Sequence, residues 1–232
     1  MQLFGRGDSP KLLIVAILLK LGFGLVHYIM VGPTIWFLIH PTLVIIPAYF
    51  FCIGFISMMH AANLDPGTIP KYLCQRTTMP PGVDSESMEL GNREYYPYMP
   101  RESPDIKFIP YNGKDIKIKY CVSCEIYRPP RCAHDSSMDQ CVRKFDHYCI
   151  WLNNSVGERN YIFFFWFIVL TWLQMIYAFA INLYLVFAKS PINFELILKE
   201  RPTSAVLAVA MFFLLFSMTG LTGLHVYLCG YL

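Results

Sequence analysis

The sequence predicts an all-α membrane protein in which four transmembrane helices form two hairpins and a cytosolic cysteine-rich domain lies between the second and third. Three observations predict it. Over 232 residues, 55% are hydrophobic and only 15% charged, and a mean hydropathy of +0.42 is too apolar for an ordinary water-soluble domain. Four apolar stretches are each long enough to cross a hydrocarbon layer as a helix. Thirteen of the nineteen Lys and Arg residues fall between Lys71 and Arg159, and such an excess marks the cytosolic side of a membrane protein. The cytosol is reducing, so cysteines there are expected as free thiols or metal ligands. A net charge of +3 gives no reason to expect a nucleic-acid partner.

Residues 1–62 read as the first hairpin. Lys11 to Met30 gives the first span. A cleaved signal peptide is the competing reading, because Arg6 and Lys11 precede the hydrophobic run, but cleavage would invert the topology that the downstream charge favours. Lys20 inside this span reads as a bundle-facing or snorkelling lysine. Val31 to Pro41 holds two prolines and no Lys or Arg, as expected of a short exoplasmic connection, and Leu43 to Ala62 returns as the second span, kinked at Pro47. Asn63-Leu64-Asp65-Pro66-Gly67 then stops the helix with a turn.

Residues 63–110 lack a sustained period and read as a linker, rich in Pro, Ser, Glu, Tyr and Met, along the membrane surface. Residues 111–160 form the cysteine-rich domain, entered through Lys114 to Tyr120, whose alternation is that of a half-buried strand. Residues 161–232 form the second hairpin: a span at Tyr161 to Phe187, a loop from Ala188 to Thr203, and a span from about Ala205 to Cys229. Gly220 and Gly223 could bring helices close, a weak signal. Cys52 and Cys229 read as small buried hydrophobes. His27, His60 and His225 lie toward span ends and read as interfacial; without paired intramembrane acids they argue against a metal transporter. No internal repeat is present.

The stretch from Tyr120 to Phe165 holds five of the eight cysteines. Cys121-x2-Cys124 offers two thiolates from one tight turn, and His134 and Cys141 offer two more donors downstream. Four nitrogen and sulfur ligands suit tetrahedral zinc in a closed structural site, which would add folding energy to a small domain with little core of its own. Cys132 is a spare that could replace a ligand. Asp146-His147-Tyr148-Cys149 sets a carboxylate beside an imidazole and an imidazole near a thiol, the roles needed to make a thiolate and hold its base in one tautomer. Read from the residues alone, a surface histidine and a packed thiol fit equally well. Position favours chemistry: Cys149 precedes the third span closely enough for its sulfur to meet a lipid thioester at the interface.

These residues resemble the DHHC family of protein S-acyltransferases, the integral-membrane palmitoyltransferases. The matching pattern is Cys121-x2-Cys124, Arg128-Pro129-Pro130-Arg131, His134, Cys141-Val142, Asp146-His147-Tyr148-Cys149-x-Trp151, Asn154, Val156-Gly157 and Asn160, with Asp65-Pro66-Gly67 outside that core. The run from Ile116 to Arg131 looks most like the branch of Ras palmitoyltransferase catalytic subunits. The resemblance implies that Cys149 takes a long acyl chain from acyl-CoA and passes it to a substrate cysteine, with His147 as general base and Asp146 orienting it. It implies protein substrates with membrane-proximal cysteines, a small Golgi-associated accessory subunit, and an endoplasmic reticulum or Golgi membrane with the cysteine-rich domain facing the cytosol.

The family's usual second zinc site would fall at Asp135, Met138, Tyr148 and Ser155, none of which is Cys or His. One structural zinc is therefore expected, with packing and hydrogen bonds in place of the second, and Tyr148 stands where a zinc ligand stood rather than the base. A Thr-Thr-x-Glu motif, expected just after the fourth span, has no counterpart before Leu232. The alternative that keeps the resemblance without catalysis is a zinc-clipped membrane scaffold binding acylation substrates or partners.

Overall fold

A computed structural model describes residues 5–7, 9–71, 106–111, 113–187 and 201–230. Within them the chain divides into a helical unit (Met1–Leu64, Cys149–Asn154 and Arg159–Leu232) and a strand-rich unit (Asp65–Tyr148 and Ser155–Glu158).

The helical unit has four helical segments long and apolar enough to cross a membrane: Lys11–Leu38, Thr42–Asn63, Tyr161–Phe187 and Pro202–Gly230. The first is α1 (Lys11–Val26), a π-helical turn (His27–Val31) and α2 (Gly32–Leu38) in succession. Residues 31–38, expected as connection, are therefore helical. Pro33 sits in the first turn of α2, where a missing N–H costs nothing, so proline there starts a helix instead of breaking one. α3 (Thr42–Asn63) carries Pro47 within it. α4 (Tyr161–Phe187) has the bounds expected from its apolar run, and α5 (Pro202–Gly230) begins slightly earlier than expected. The loop expected between them falls mostly at residues 188–200, outside the described residues, as do residues 72–105 of the expected linker.

α4 packs between α3 and α5. Val31, Ile35, Leu185 and Leu207 close one end of the bundle, with Phe23, Leu43, Val44 and Ile181 around them. Outward, Leu18, Phe37 and Phe216 stand 63%, 82% and 84% exposed, an arrangement stable against lipid tails and not against water. Cys52 and Cys229 belong to this outer surface, so they are not buried as expected; an apolar thiol suits lipid as well as a core.

Polar groups inside the bundle are paired across helices. Lys20 Nζ donates to Thr171 Oγ1 at 3.0 Å and lies over the Phe51 and Phe167 rings at 5.3 and 5.7 Å. It faces the bundle, as expected. His27 and His225 are buried, against the interfacial reading, because α4 offers each a partner: Asn182 Nδ2 at 3.4 Å from His27 Nδ1, and the Tyr161 hydroxyl at 3.1 Å from His225 Nδ1. His60 is exposed and stacks on Phe163.

The end of α3 is closed by side chains from beyond Cys149. Asn154 Nδ2 donates to the Ala61 and Leu64 carbonyls at 3.0 and 2.9 Å, and Asn160 Nδ2 donates to Ala61 at 3.0 Å. Both asparagines are fully buried, which fits their task of satisfying carbonyls that the helix cannot pair itself.

The strand-rich unit holds two antiparallel three-stranded sheets. One orders β1 (Thr68–Ile69), β6 (Gln140–Val142) and β5 (Ala133–Asp135); the other orders β2 (Ile106–Tyr111), β3 (Lys114–Cys121) and β4 (Ile126–Tyr127). β3 matches the alternation in the sequence, and Ile118 and Cys121 are buried on it. β2 was expected as linker; it is a strand because it pairs with β3 from Ile106↔Lys119 to Tyr111↔Lys114. β7 (His147–Cys149) and β8 (Asn154–Val156) form a short hairpin.

The Asp65-Pro66-Gly67 turn is pinned inside the strand-rich unit. Asp65 Oδ1 accepts from the Thr68 N–H and hydroxyl at 3.2 and 2.8 Å, and the Gly67 carbonyl accepts from Arg143 N–H at 3.0 Å. A Cβ at Gly157 would fall 2.6 Å from Val142 Cγ1 and 2.7 Å from the Pro66 carbonyl oxygen, so glycine is required there by close packing.

Removing the Asn154 amide takes the side-chain donor from the part-buried Leu64 carbonyl and one of two from the buried Ala61 carbonyl. Asn154→Ala is expected to cost about 2 kcal/mol, read as a lower melting temperature in detergent; an unchanged melt would mean that the cap contributes nothing.

Candidate catalytic and metal site

The metal-ligand set assembles from three strands and one turn of the strand-rich unit. Cys121 ends β3, Cys124 lies in the turn to β4, and His134 on β5 sits directly opposite Cys141 on β6. Residues opposite each other in an antiparallel pair point to one face. Glu125 (φ 53°) and Asp139 (φ 46°) adopt left-handed backbone, giving the sharp turns that aim the flanking thiols inward. The four donor atoms lie within 4.8 Å of one another, and the cluster could hold a metal ion. Cys124 Sγ is 3.4 Å and Cys141 Sγ 4.0 Å from His134 Nδ1.

Charge argues the same way. Burial, reinforced by the Cys121 and Cys124 sulfurs, pushes the Cys141 thiol far up, and burial raises Cys124 as well. Cys121 moves the other way: against the effect of burial, hydrogen bonds from Cys124, Cys141 and the Ser123 backbone lower it, and a cation at the centre would favour all three as thiolates. Cys132 lies outside the cluster, and burial raises its thiol too.

One participant has no signature in the spacing. Asp139 Oδ1 lies 3.7 Å from His134 Nε2, and Lys71 Nζ bonds the other oxygen of the same carboxylate. The Lys71 ammonium holds Asp139 below the usual carboxylate range. At that distance the carboxylate acts on the imidazole through its charge, which favours a proton at Nε2 and leaves Nδ1 to face the thiols.

Asp135, Met138 and Ser155, three of the four positions where the resemblance puts a second zinc site, also come together. The Ser155 hydroxyl donates to Asp135 Oδ2 and lies 3.0 Å from Met138 Sδ. Asp135 and Ser155 are buried, so a hydrogen-bonded clip occupies this corner.

In the strand-rich unit His147 Nδ1 and Asp146 Oδ2 are 2.9 Å apart, with the imidazole partly open to solvent. Asp146 is held by its backbone as well, its N–H donating to the Val156 carbonyl at 2.9 Å. Cys149 belongs to the helical unit, two residues on, and its side chain is buried at 9% exposure. Leu152 N–H donates to the Cys149 carbonyl at 3.1 Å, closing a turn after the sulfur.

The sequence pattern and this arrangement fall within one matched region: the family model described as DHHC palmitoyltransferase matches residues 114–231. The chain belongs to the DHHC palmitoyltransferase family. Palmitoyltransferase ZDHHC9 of Pongo abelii is 39% identical over 189 residues, covering 81% of this chain and 50% of that protein. The Homo sapiens protein of the same name is 38% identical over the same shares. Palmitoyltransferase ZDHHC14 of Homo sapiens is 38% identical over 184 residues, 78% of this chain and 36% of its own length. This DHHC chain thus spans about half the length of its ZDHHC9 relatives. With four membrane-length helices it is a multi-pass membrane protein of that family.

If the Cys/His cluster holds a metal, Cys124→Ser lowers bound metal well below one equivalent per chain, measured by plasma emission on purified protein. Asp139→Asn is expected to weaken binding by about 10-fold to 100-fold while leaving all four ligands in place.

Proposed function

We propose that this DHHC-family chain is an integral-membrane protein S-acyltransferase that moves a palmitoyl or similar long acyl group from acyl-CoA to a protein cysteine through an acyl-Cys149 intermediate. The observation that carries the reading is the 2.9 Å Asp146–His147 pair immediately ahead of the buried Cys149 thiol. With Nδ1–H donating to the Asp146 carboxylate, Nε2 is the nitrogen that serves as the base.

In the first half-reaction His147 takes the Cys149 proton and the thiolate attacks the thioester carbonyl of acyl-CoA. The carbon–sulfur bond to coenzyme A breaks, and the CoA thiolate leaves and is protonated. In the second, His147 takes the proton of the substrate thiol, whose sulfur attacks the acyl-Cys149 carbonyl and displaces the Cys149 thiolate. One thioester is exchanged for another at each step, so the work of the site is thiolate generation, placement and exclusion of water. Asp146 stabilises the imidazolium that forms each time.

One structural zinc belongs at Cys121, Cys124, His134 and Cys141. Bound there, it supplies the cross-link between β3, β5 and β6 that a small core cannot. The Asp135–Ser155–Met138 clip takes the place of a second ion. The substrates are proteins with cysteines close to the bilayer, the strand-rich unit faces the cytosol, and the membrane is that of the endoplasmic reticulum or Golgi. A small accessory subunit of the kind the Ras palmitoyltransferase branch uses is a further partner. In domain terms, residues 111–160 are the catalytic and zinc domain, 1–62 and 161–232 are the membrane hairpins, and 63–110 join the first hairpin to the domain.

Purified protein given labelled palmitoyl-CoA is expected to hold a hydroxylamine-labile label that Cys149→Ala abolishes and His147→Ala slows by about 10²-fold to 10⁴-fold. No label on a folded, zinc-loaded protein, with or without an accessory subunit, would favour the scaffold reading instead.

A further inference from the structure

The turn that follows Cys149 is held from an unexpected direction, by the chain ahead of the first span. Arg6 and Gly7 both donate their N–H groups to the Asn153 carbonyl, at 2.9 and 2.7 Å, and Asn153 Nδ2 donates back to the Gly7 carbonyl at 2.8 Å. Gly5 N–H donates to Asn63 Oδ1 at 3.3 Å, at the end of α3. All these residues belong to the helical unit.

Both sides of the contact have backbones that need support. Asn153 is 1% exposed and sits at φ 49°, a left-handed conformation that a residue other than glycine keeps only when its surroundings fix it. Three hydrogen bonds from a segment nearly 150 positions away in sequence do that. Gly5 has φ 79°, and a Cβ there would fall 2.7 Å from the carbonyl oxygens of both Leu152 and Asn153. Leu152 N–H in turn donates to the Cys149 carbonyl. The chain of contact therefore runs from residues 5–7 through Leu152 and Asn153 to the backbone of the reactive cysteine.

We propose that Gly5–Gly7 is a positioning strap, which holds the Cys149 turn in the geometry that acyl transfer needs, with Asn153 as the positioning residue it grips. The proposal rests on the reading of Cys149 as the nucleophile. It matters chemically because near-attack geometry tolerates little error: a displacement on the order of 1 Å at the reacting sulfur costs as much as 10²-fold in rate. Cys149 is 9% exposed, so a loosened turn also opens its thiol to solvent.

The test uses the full chain in detergent and two variants that loosen the strap from different ends without touching the loop. Gly5→Ala adds the clashing Cβ, and Gly7→Pro deletes one of the two donors to Asn153. Each is measured for the rate at which iodoacetamide alkylates Cys149, followed on its own peptide by mass spectrometry, and for single-turnover acylation at saturating palmitoyl-CoA. Melting temperature and bound metal are read on the same samples.

In both variants Cys149 alkylation is expected to rise about tenfold and saturating acylation to fall about tenfold, with KM, melting temperature and metal content unchanged. Wild-type rates of alkylation and acylation in a variant of either kind overturn the proposal. So does a joint loss of melting temperature, metal and activity in both, which would make the segment a fold support only. Faster alkylation in the variants of a protein that never acylates would leave the strap standing and remove the acyltransferase reading.

Discussion

A helix that ends has carbonyls it cannot pair, and the way this chain satisfies those of α3 sets the place of the turn after Cys149. Asn154 and Asn160 turn inward from the segment between Cys149 and α4 and donate to Ala61 and Leu64. The loop is thus fastened to the helix end by groups that would be costly to leave unpaired. Asn63, the last residue of the same helix, also receives the Gly5 N–H. The end of α3, the turn after Cys149 and the stretch ahead of α1 form one hydrogen-bonded knot.

The strand-rich unit is organised by a different constraint. Its strands are short, several of only two or three residues, and too little apolar surface lies between them to hold their register. A cluster of three thiols and an imidazole lies among them, with Cys121, Cys124, Cys141 and Ile126 as the buried centre. Asp139 and Lys71 extend the cluster outward to β1, and the Arg143 and Lys144 pairs with Glu158 tie the chain after β6 to the end of β8 at 3.1 and 2.9 Å. Exposed pairs of this kind contribute little individually.

Much of this was legible in the sequence, for reasons that differ by element. The spans were legible because a run of apolar residues is a local property; α4 has the bounds its composition suggests. Residues 31–38 were misread because proline signals a break in isolation, whereas its meaning depends on the helical turn it occupies. β2 was hidden because its identity rests on pairing with β3. The four residues of the Cys/His cluster and the Asp146–His147 neighbours could be found by spacing. Asp139 and residues 5–7 could not, since a hydrogen bond between remote segments leaves no pattern in either one.

Lys20 meets Thr171 across 151 positions of chain, and that distance has a meaning in time. A ribosome delivers the first span long before the third exists. A lysine near the middle of a newly inserted helix costs about 2.5–3.5 kcal/mol against lipid, and for this helix the hydroxyl and the Phe167 ring that shield it are still to be synthesised. Of the three partners Thr171, Phe167 and Phe51, the Phe51 ring of the second span is the one that Lys20 can meet until α4 emerges.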